Sequence, residues 1–220
     1  MMRSRMRLWL VCLLAVVTTS NWAGAMTIQL GSEAATLVEA GGMWHYLAGA
    51  AAPSDPAEAW TQLGFDDSAW PVGPAGFGYG DNDDATVLTD MQGRYVTLYI
   101  RTTFSVAAPV GEGALELEID YDDGFIAYLN GREVARRNMP EGPATFETTA
   151  LSHEAGTPET IALGPAADLL VEGVNVLAIE GRNASADSSD FSLIPALRTA
   201  GDTVRNGDTY IVTMDTVTLT

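Results

Sequence analysis

The sequence predicts an all-β protein, an antiparallel β-sandwich with one or two short helices. Three observations carry that prediction. Residues 95–106 and 114–121 alternate apolar and polar side chains with a period of two, the signature of half-buried strands. Asp122-Asp123-Gly124 and Asn130-Gly131 punctuate the next stretch as tight turns do. Helical signals are confined to two short pieces, and many short strands with few helices pack as two sheets.

Along the chain, strands are expected at 44–47, 85–89, 95–106, 115–121, 125–129, 132–137, 160–163, 174–181 and 191–198. Val96, Leu98, Ile100, Phe104 and Val106 share one face of their strand; Thr97, Tyr99, Arg101, Thr103 and Ser105 share the other. Likewise Leu115, Leu117, Ile119 and Tyr121 oppose Glu116, Glu118 and Asp120. Residues 125–129 are apolar on both faces, as in a strand covered on both sides. Asp-Gly and Asn-Gly tolerate the positive φ of primed turns, so 115–137 is expected to form a three-stranded antiparallel meander. Asp55-Pro56-Ala57-Glu58 offers a helix cap, a proline at the first helical position and a glutamate two places on. A second helical piece, 165–170, closes near Gly173.

The chain start reads as a secretory signal peptide, residues 1–25. Arg3, Arg5 and Arg7 precede an apolar run at 8–17 that is too short to span a bilayer, and Ala23-Gly24-Ala25 is a small-x-small cleavage signal. The expected organisation is therefore a signal peptide, a sandwich domain over 26–198, and a linker with a β-prone tail over 199–220. That tail is either a terminal strand or the start of a further domain. Secretion to an extracellular or periplasmic space is expected, with no membrane span after cleavage. Cys12 is the one cysteine and leaves with the signal, so the core must hold without disulfides.

All eleven basic residues are arginines, and three lie in the signal peptide; the remaining eight face 29 acids, a net charge of −21. That balance argues against nucleic acid and anionic membranes as partners. It favours solubility, cation binding or a salty habitat.

Several segments together resemble one family: Trp44-His45-Tyr46-Leu47, residues 64–70 (GFDDSAW), 76–81 (GFGYGD), 95–104 (YVTLYIRTTF), 121–131 (YDDGFIAYLNG), 137–140 (RNMP) and 175–180 (NVLAIE). They resemble the galactose-binding-domain-like module of secreted bacterial proteins, which accompanies lamin-tail, CotH-like or metallophosphatase domains. The likeness covers roughly residues 36–198 and implies a jelly roll. It is specific for fold and much less so for function, because such modules bind sugars, bind proteins or brace a neighbouring enzyme.

Candidate chemistry is acidic and aromatic. Gly80-Asp81-Asn82-Asp83-Asp84 sets four oxygen-bearing side chains side by side, as a hard cation such as calcium requires. The EF-hand pattern is not met, and a solvated acidic turn is the alternative. Asp122 and Asp123 are further candidate metal ligands, although a hairpin role would already explain the pair with Gly124. Metal candidates are thus Asp81, Asn82, Asp83, Asp84, Asp122 and Asp123, with calcium as a structural ion. Glu116, Glu118 and Asp120 alternate at about 6.6 Å along one strand face, near the spacing of glycosidase carboxylates. No further glutamate completes that pattern, so an exposed polar face is preferred. His45 and His153 are the two histidines, and no Gly-x-Ser-x-Gly elbow occurs, which disfavours zinc and serine hydrolase chemistry. Trp44, Trp60 and Trp70 read as core. Tyr99 and Arg101 share the polar face of their strand and are candidates to line a groove, with Arg136, Arg137 and Asn138 as donors after the meander. The sequon Asn183-Ala184-Ser185 is read as chance.

The expected function is a secreted, non-catalytic binding module, with carbohydrate as the ligand. The alternative is an accessory or protein-interaction domain of a larger secreted enzyme or surface protein, with a neighbouring domain as partner and no small ligand of its own.

Overall fold

The computed structural model describes residues 34–81, 84–107 and 113–200. The expected signal peptide, Asn82, Asp83 and the tail beyond residue 200 lie outside the described residues.

Among the described residues, twelve strands form two sheets: β1 Ala35–Val38, β2 Met43–Ala48, β3 Val72–Pro74, β4 Phe77–Tyr79, β5 Thr86–Val87, β6 Thr97–Val106, β7 Ala114–Asp122, β8 Gly124–Leu129, β9 Arg132–Arg137, β10 Glu159–Pro165, β11 Gly173–Arg182 and β12 Phe191–Thr199. One sheet runs β10-β7-β12-β4-β5, with β1 also on β12; the other runs β3-β2-β6-β11-β8-β9. All pairings are antiparallel except β4 with β5. A single 3-10 turn, Ala59–Thr61, and one short helix, α1 Ala166–Leu169, complete the described elements. The architecture is the expected all-β sandwich. No described helix is long and apolar enough to cross a membrane.

The alternation that marks the strands also builds the core. Leu115, Leu117 and Ile119 of β7 and Leu193 and Leu197 of β12 are fully buried against Leu98, Ile100, Phe125, Leu177 and Ile179 of the other sheet. Trp44 and Phe77 fill the same interior. Burying apolar surface at about 25 cal/mol per Å² is the main force holding the layers.

Two local expectations change. The meander over 115–137 does not form. β7 pairs with β10 and β12, whereas β8 pairs with β9 and β11 of the opposite sheet. Asp122-Asp123-Gly124 is a crossover between layers, not a hairpin turn. Gly124 does not have positive φ there; it is required for space, since a Cβ would meet Ala150 Cβ at 2.8 Å and the Arg137 carbonyl oxygen at 2.9 Å. The second turn is as expected: Asn130 and Gly131, at φ 50° and 84°, join β8 to β9. The first helical piece is displaced too, because the ordered turn follows Asp55–Glu58 instead of including it.

The polar face of β6 is also not a solvent face. Thr97, Tyr99 and Arg101 are at most 2% exposed. The long connection between β2 and β3 and that between β9 and β10 fold over this side of the sheet. Trp60, Trp70, Tyr99 and Ala178 form a second small core there, with Phe65, Tyr128 and Phe146 packed on it.

Candidate functional site

Among the described residues, a concavity stands on the outer face of each sheet. The larger lies over β6, β8 and β11. It is a groove of about 720 Å³ whose lining includes Trp60, Tyr99, Tyr128, Glu133, Arg136 and Glu180. Strand alternation positions its floor: Tyr99 pairs with Glu180 across β6–β11, and Tyr128 with Glu133 across the β8–β9 hairpin. Trp60 meets the rings of Tyr99 and Tyr128 edge-on, with centroids 5.0 and 5.9 Å away, and stacks on Trp70 at 6.3 Å. Such pairs add cohesion beyond the area they bury.

Polar groups behind the rings are fixed. The Glu180 carboxylate accepts the Tyr128 hydroxyl at 3.0 Å and Arg182 Nη2 at 2.5 Å. Arg182 is fully buried and lies 5.9 Å over the Tyr99 ring. Its Nη1 donates to the carbonyls of Thr145 and Thr148, which ties the covering connection to the sheet. Burial pushes the Tyr99 hydroxyl up to about 12; Arg182 opposes that shift and Glu180 adds to it. Burial, then Glu180, raises Tyr128 as well. Both rings therefore present neutral hydroxyls at physiological pH. At the rim, Arg136 forks onto Glu133 at 2.8 and 2.9 Å.

Of the sequence-predicted ligand residues, the groove brings together Tyr99 and Arg136. Arg101, Arg137 and Asn138 do not line it. Arg101 is taken up internally by Asp67 and by the carbonyls of Phe65 and Gln62, and it lies 5.3 Å over the Phe65 ring. Arg137 Nε binds Glu159 at 2.8 and 3.1 Å. The Asn138 side chain donates to the Asp123 carbonyl at 3.1 Å. Glu133 and Glu180 are new members that sequence reasoning passed over. The signal that could have found them is their place opposite Tyr128 and Tyr99 in register.

The smaller concavity, about 230 Å³, lies outside the first sheet where β7, β12 and the connection after β9 converge. Asp81, Asp120, Asp122, Glu154, Asp190 and Ser192 supply its side-chain oxygens. Two segments singled out in sequence thus meet: Asp81 from after β4 and Asp122 from the end of β7. Asp123 points elsewhere. Its carboxylate accepts the backbone N–H of His153 at 2.9 Å and of Ala184 at 2.6 Å, so it staples two loops. Asp84 turns over Gly78, where a Cβ would collide with its carboxylate. Burial pushes the Asp122 carboxyl up to about 7, and Asp123, Asp190, Glu154 and Asp81 add repulsion. Asp120 accepts the Gly156 N–H at 2.9 and 3.0 Å and so fixes the loop that carries Glu154.

The strand carboxylates Glu116 and Glu118 are engaged by one arginine. Arg198 binds Glu116 at 3.0 Å and Glu118 at 2.5 Å across the β7–β12 ladder. His153 stacks on Tyr121 with centroids 4.3 Å apart, and His45 Nδ1 lies 2.9 Å from the Asp67 carbonyl.

No known family description matches the sequence, and no curated protein matches it. Similar solved structures include a beta-glucuronidase of an uncultured Clostridium species, at 15% identity and TM-score 0.49 over 77% of this chain and 29% of that one. Another is a calcium binding mutant of Bacteroides uniformis beta-glucuronidase 2, at 17% identity and TM-score 0.48 over 76% of this chain and 18% of that one. A third is a Faecalibacterium prausnitzii beta-glucuronidase, at 16% identity and TM-score 0.43 over 68% of this chain and 21% of that one. The chain spans less than a third of the length of each.

Proposed function

We propose that the chain is a secreted, non-catalytic carbohydrate-binding module of the galactose-binding-like jelly-roll kind, and that sugar occupies the groove over β6, β8 and β11. The observation that carries this reading is the groove itself. Its volume of about 720 Å³ falls in the range of small-ligand sites. Tyr128, half-buried at the groove with Trp60 and Glu180 packed behind it, offers apolar ring surface to a pyranose face, and Glu133 and Arg136 at the rim offer acceptors and donors to its hydroxyls. Their mutual hydrogen bonds hold them in place before any ligand arrives, which lowers the ordering cost of binding. The non-catalytic part of the reading rests on the strand carboxylates, which are engaged by Arg198 and by the Gly156 backbone.

A panel of immobilised glycans, probed with wild type and with Arg136→Ala and Tyr128→Ala, tests this. Binding to a defined set of glycans, lost in both variants at unchanged melting temperature, supports it. Silence across the panel favours the accessory-domain alternative.

A further inference from the structure

Asp122, Glu154 and Asp190 can each offer one carboxylate oxygen such that all three lie within 4.8 Å of one another. They come from the end of β7, from the connection after β9 and from the residue before β12. None of the described residues lining this pocket is basic. A cluster of acids alone would say little, since exposed acids are common. Two further atoms point to a ligand. Asp122 is 4% exposed and Ser192 is 2% exposed, yet Asp122 Oδ1 and Ser192 Oγ are buried without a hydrogen-bond partner. The two residues are register partners across the β7–β12 ladder and therefore face the same side of the sheet, into the pocket. Buried polar atoms are almost always satisfied by protein, water or an ion.

We propose that this pocket binds a hard divalent cation of calcium size, held by the carboxylates of Asp122, Glu154 and Asp190 and by the Ser192 hydroxyl. The donors are all oxygen, and neither thiol nor imidazole lines the pocket, which selects against zinc and copper. Donors from separate segments form an irregular shell, which calcium tolerates and magnesium does not. A cavity of about 230 Å³ leaves room for waters to complete the coordination. Asp81 at the rim adds negative potential. Asp120 is a positioning residue, because it grips Gly156 and so sets the Glu154 loop. Bound cation would tie the β7–β8 crossover, the connection after β9 and the start of β12 into one unit. The site is on the opposite sheet from the groove and does not depend on the sugar reading.

Calcium titrated calorimetrically into chelator-stripped protein, with melting temperature read in calcium and in chelator, tests this. The expected result is one site with an affinity at or tighter than the ~0.1–1 mM of extracellular modules, and a rise in melting temperature. Asp190→Asn, a half-exposed loop change, should weaken binding by at least ~10-fold, Ser192→Ala should weaken it less, and Asp120→Asn should fall in the ~10–100-fold range of supporting residues. Glu147→Gln, an exposed acid outside the pocket, controls for the general acidity and should bind as wild type. Absence of both heat and thermal shift in the wild type overturns the proposal. Equal binding by wild type and Asp190→Asn overturns it as well.

Discussion

Asp122 and Ser192 face each other across the β7–β12 ladder, and each buries a side-chain oxygen that no protein group satisfies. Leaving such an atom unpaired costs about 1–3 kcal/mol. Two on adjacent strands, beside Glu154 and Asp190, concentrate that cost at one point of an otherwise well-satisfied sheet.

The Asp122 carboxyl gives this a pH signature. Its folded value, pushed up to about 7, lies above its ordinary 3.8. The folded chain therefore holds the proton more tightly than the unfolded chain. That stabilisation is complete below the ordinary value and is lost as pH rises through about 7. In chelator, wild type should lose melting temperature between about pH 4 and 7, and Asp122→Asn should lose less. Parallel slopes for the two proteins would show that Asp122 does not titrate in this range.

Arg101 supplies a second prediction. It is 2% exposed and paired with Asp67 beneath the β2–β3 connection. Asp67→Ala leaves that charge buried with only carbonyl partners and should cost about 3 kcal/mol in denaturant unfolding. A change under about 0.5 kcal/mol, as surface substitutions give, would show that the connection does not bury the pair.

Gly124 is held by space alone, whereas Gly131 is held by a positive φ and by the Gln62 side-chain amide, which any Cβ there would displace. Gly124→Ala drives a Cβ into Ala150 and a main-chain oxygen, and should cost about 1–3 kcal/mol. Gly131 sits at φ 84°, so its replacement by Asn, which tolerates that region, should be milder than replacement by Val. Equal losses in the Gly131 pair would argue against the primed turn.

The two glycines also show what the sequence could and could not tell. Period-two alternation located the long strands, since the side-chain period is a local property of extended backbone. Asn130-Gly131 was legible as a hairpin for the same reason. Asp122-Asp123-Gly124 looked equally like a turn, but which strand β8 pairs with is settled by β11, some fifty residues later, and not by the tripeptide. Arg101 read as a groove-lining candidate on a polar face because alternation reports sides of a sheet, not what covers them. Within the acidic pocket, Asp81 and Asp122 were visible as acidic runs. Glu154, Asp190 and Ser192 were not, since they lie in separate segments: the β7–β12 register brings Ser192 and Asp190 to Asp122, and the Asp120 contact to Gly156 brings the loop of Glu154.

The groove makes one further prediction. Tyr128→Phe removes the hydroxyl that Glu180 accepts and leaves the ring. Sugar affinity should fall several-fold, with a loss in stability of about 1 kcal/mol. Unchanged affinity would remove the hydroxyl from the binding role and leave the ring face alone.

Because Trp60 lies on the groove floor, its fluorescence reports occupancy directly. Soluble oligosaccharides titrated against wild type should give a saturable change in tryptophan emission for one class of sugar, absent in Tyr128→Ala and preserved in Asp190→Asn. No change across neutral, acidic and amino sugars would contradict carbohydrate binding at this groove.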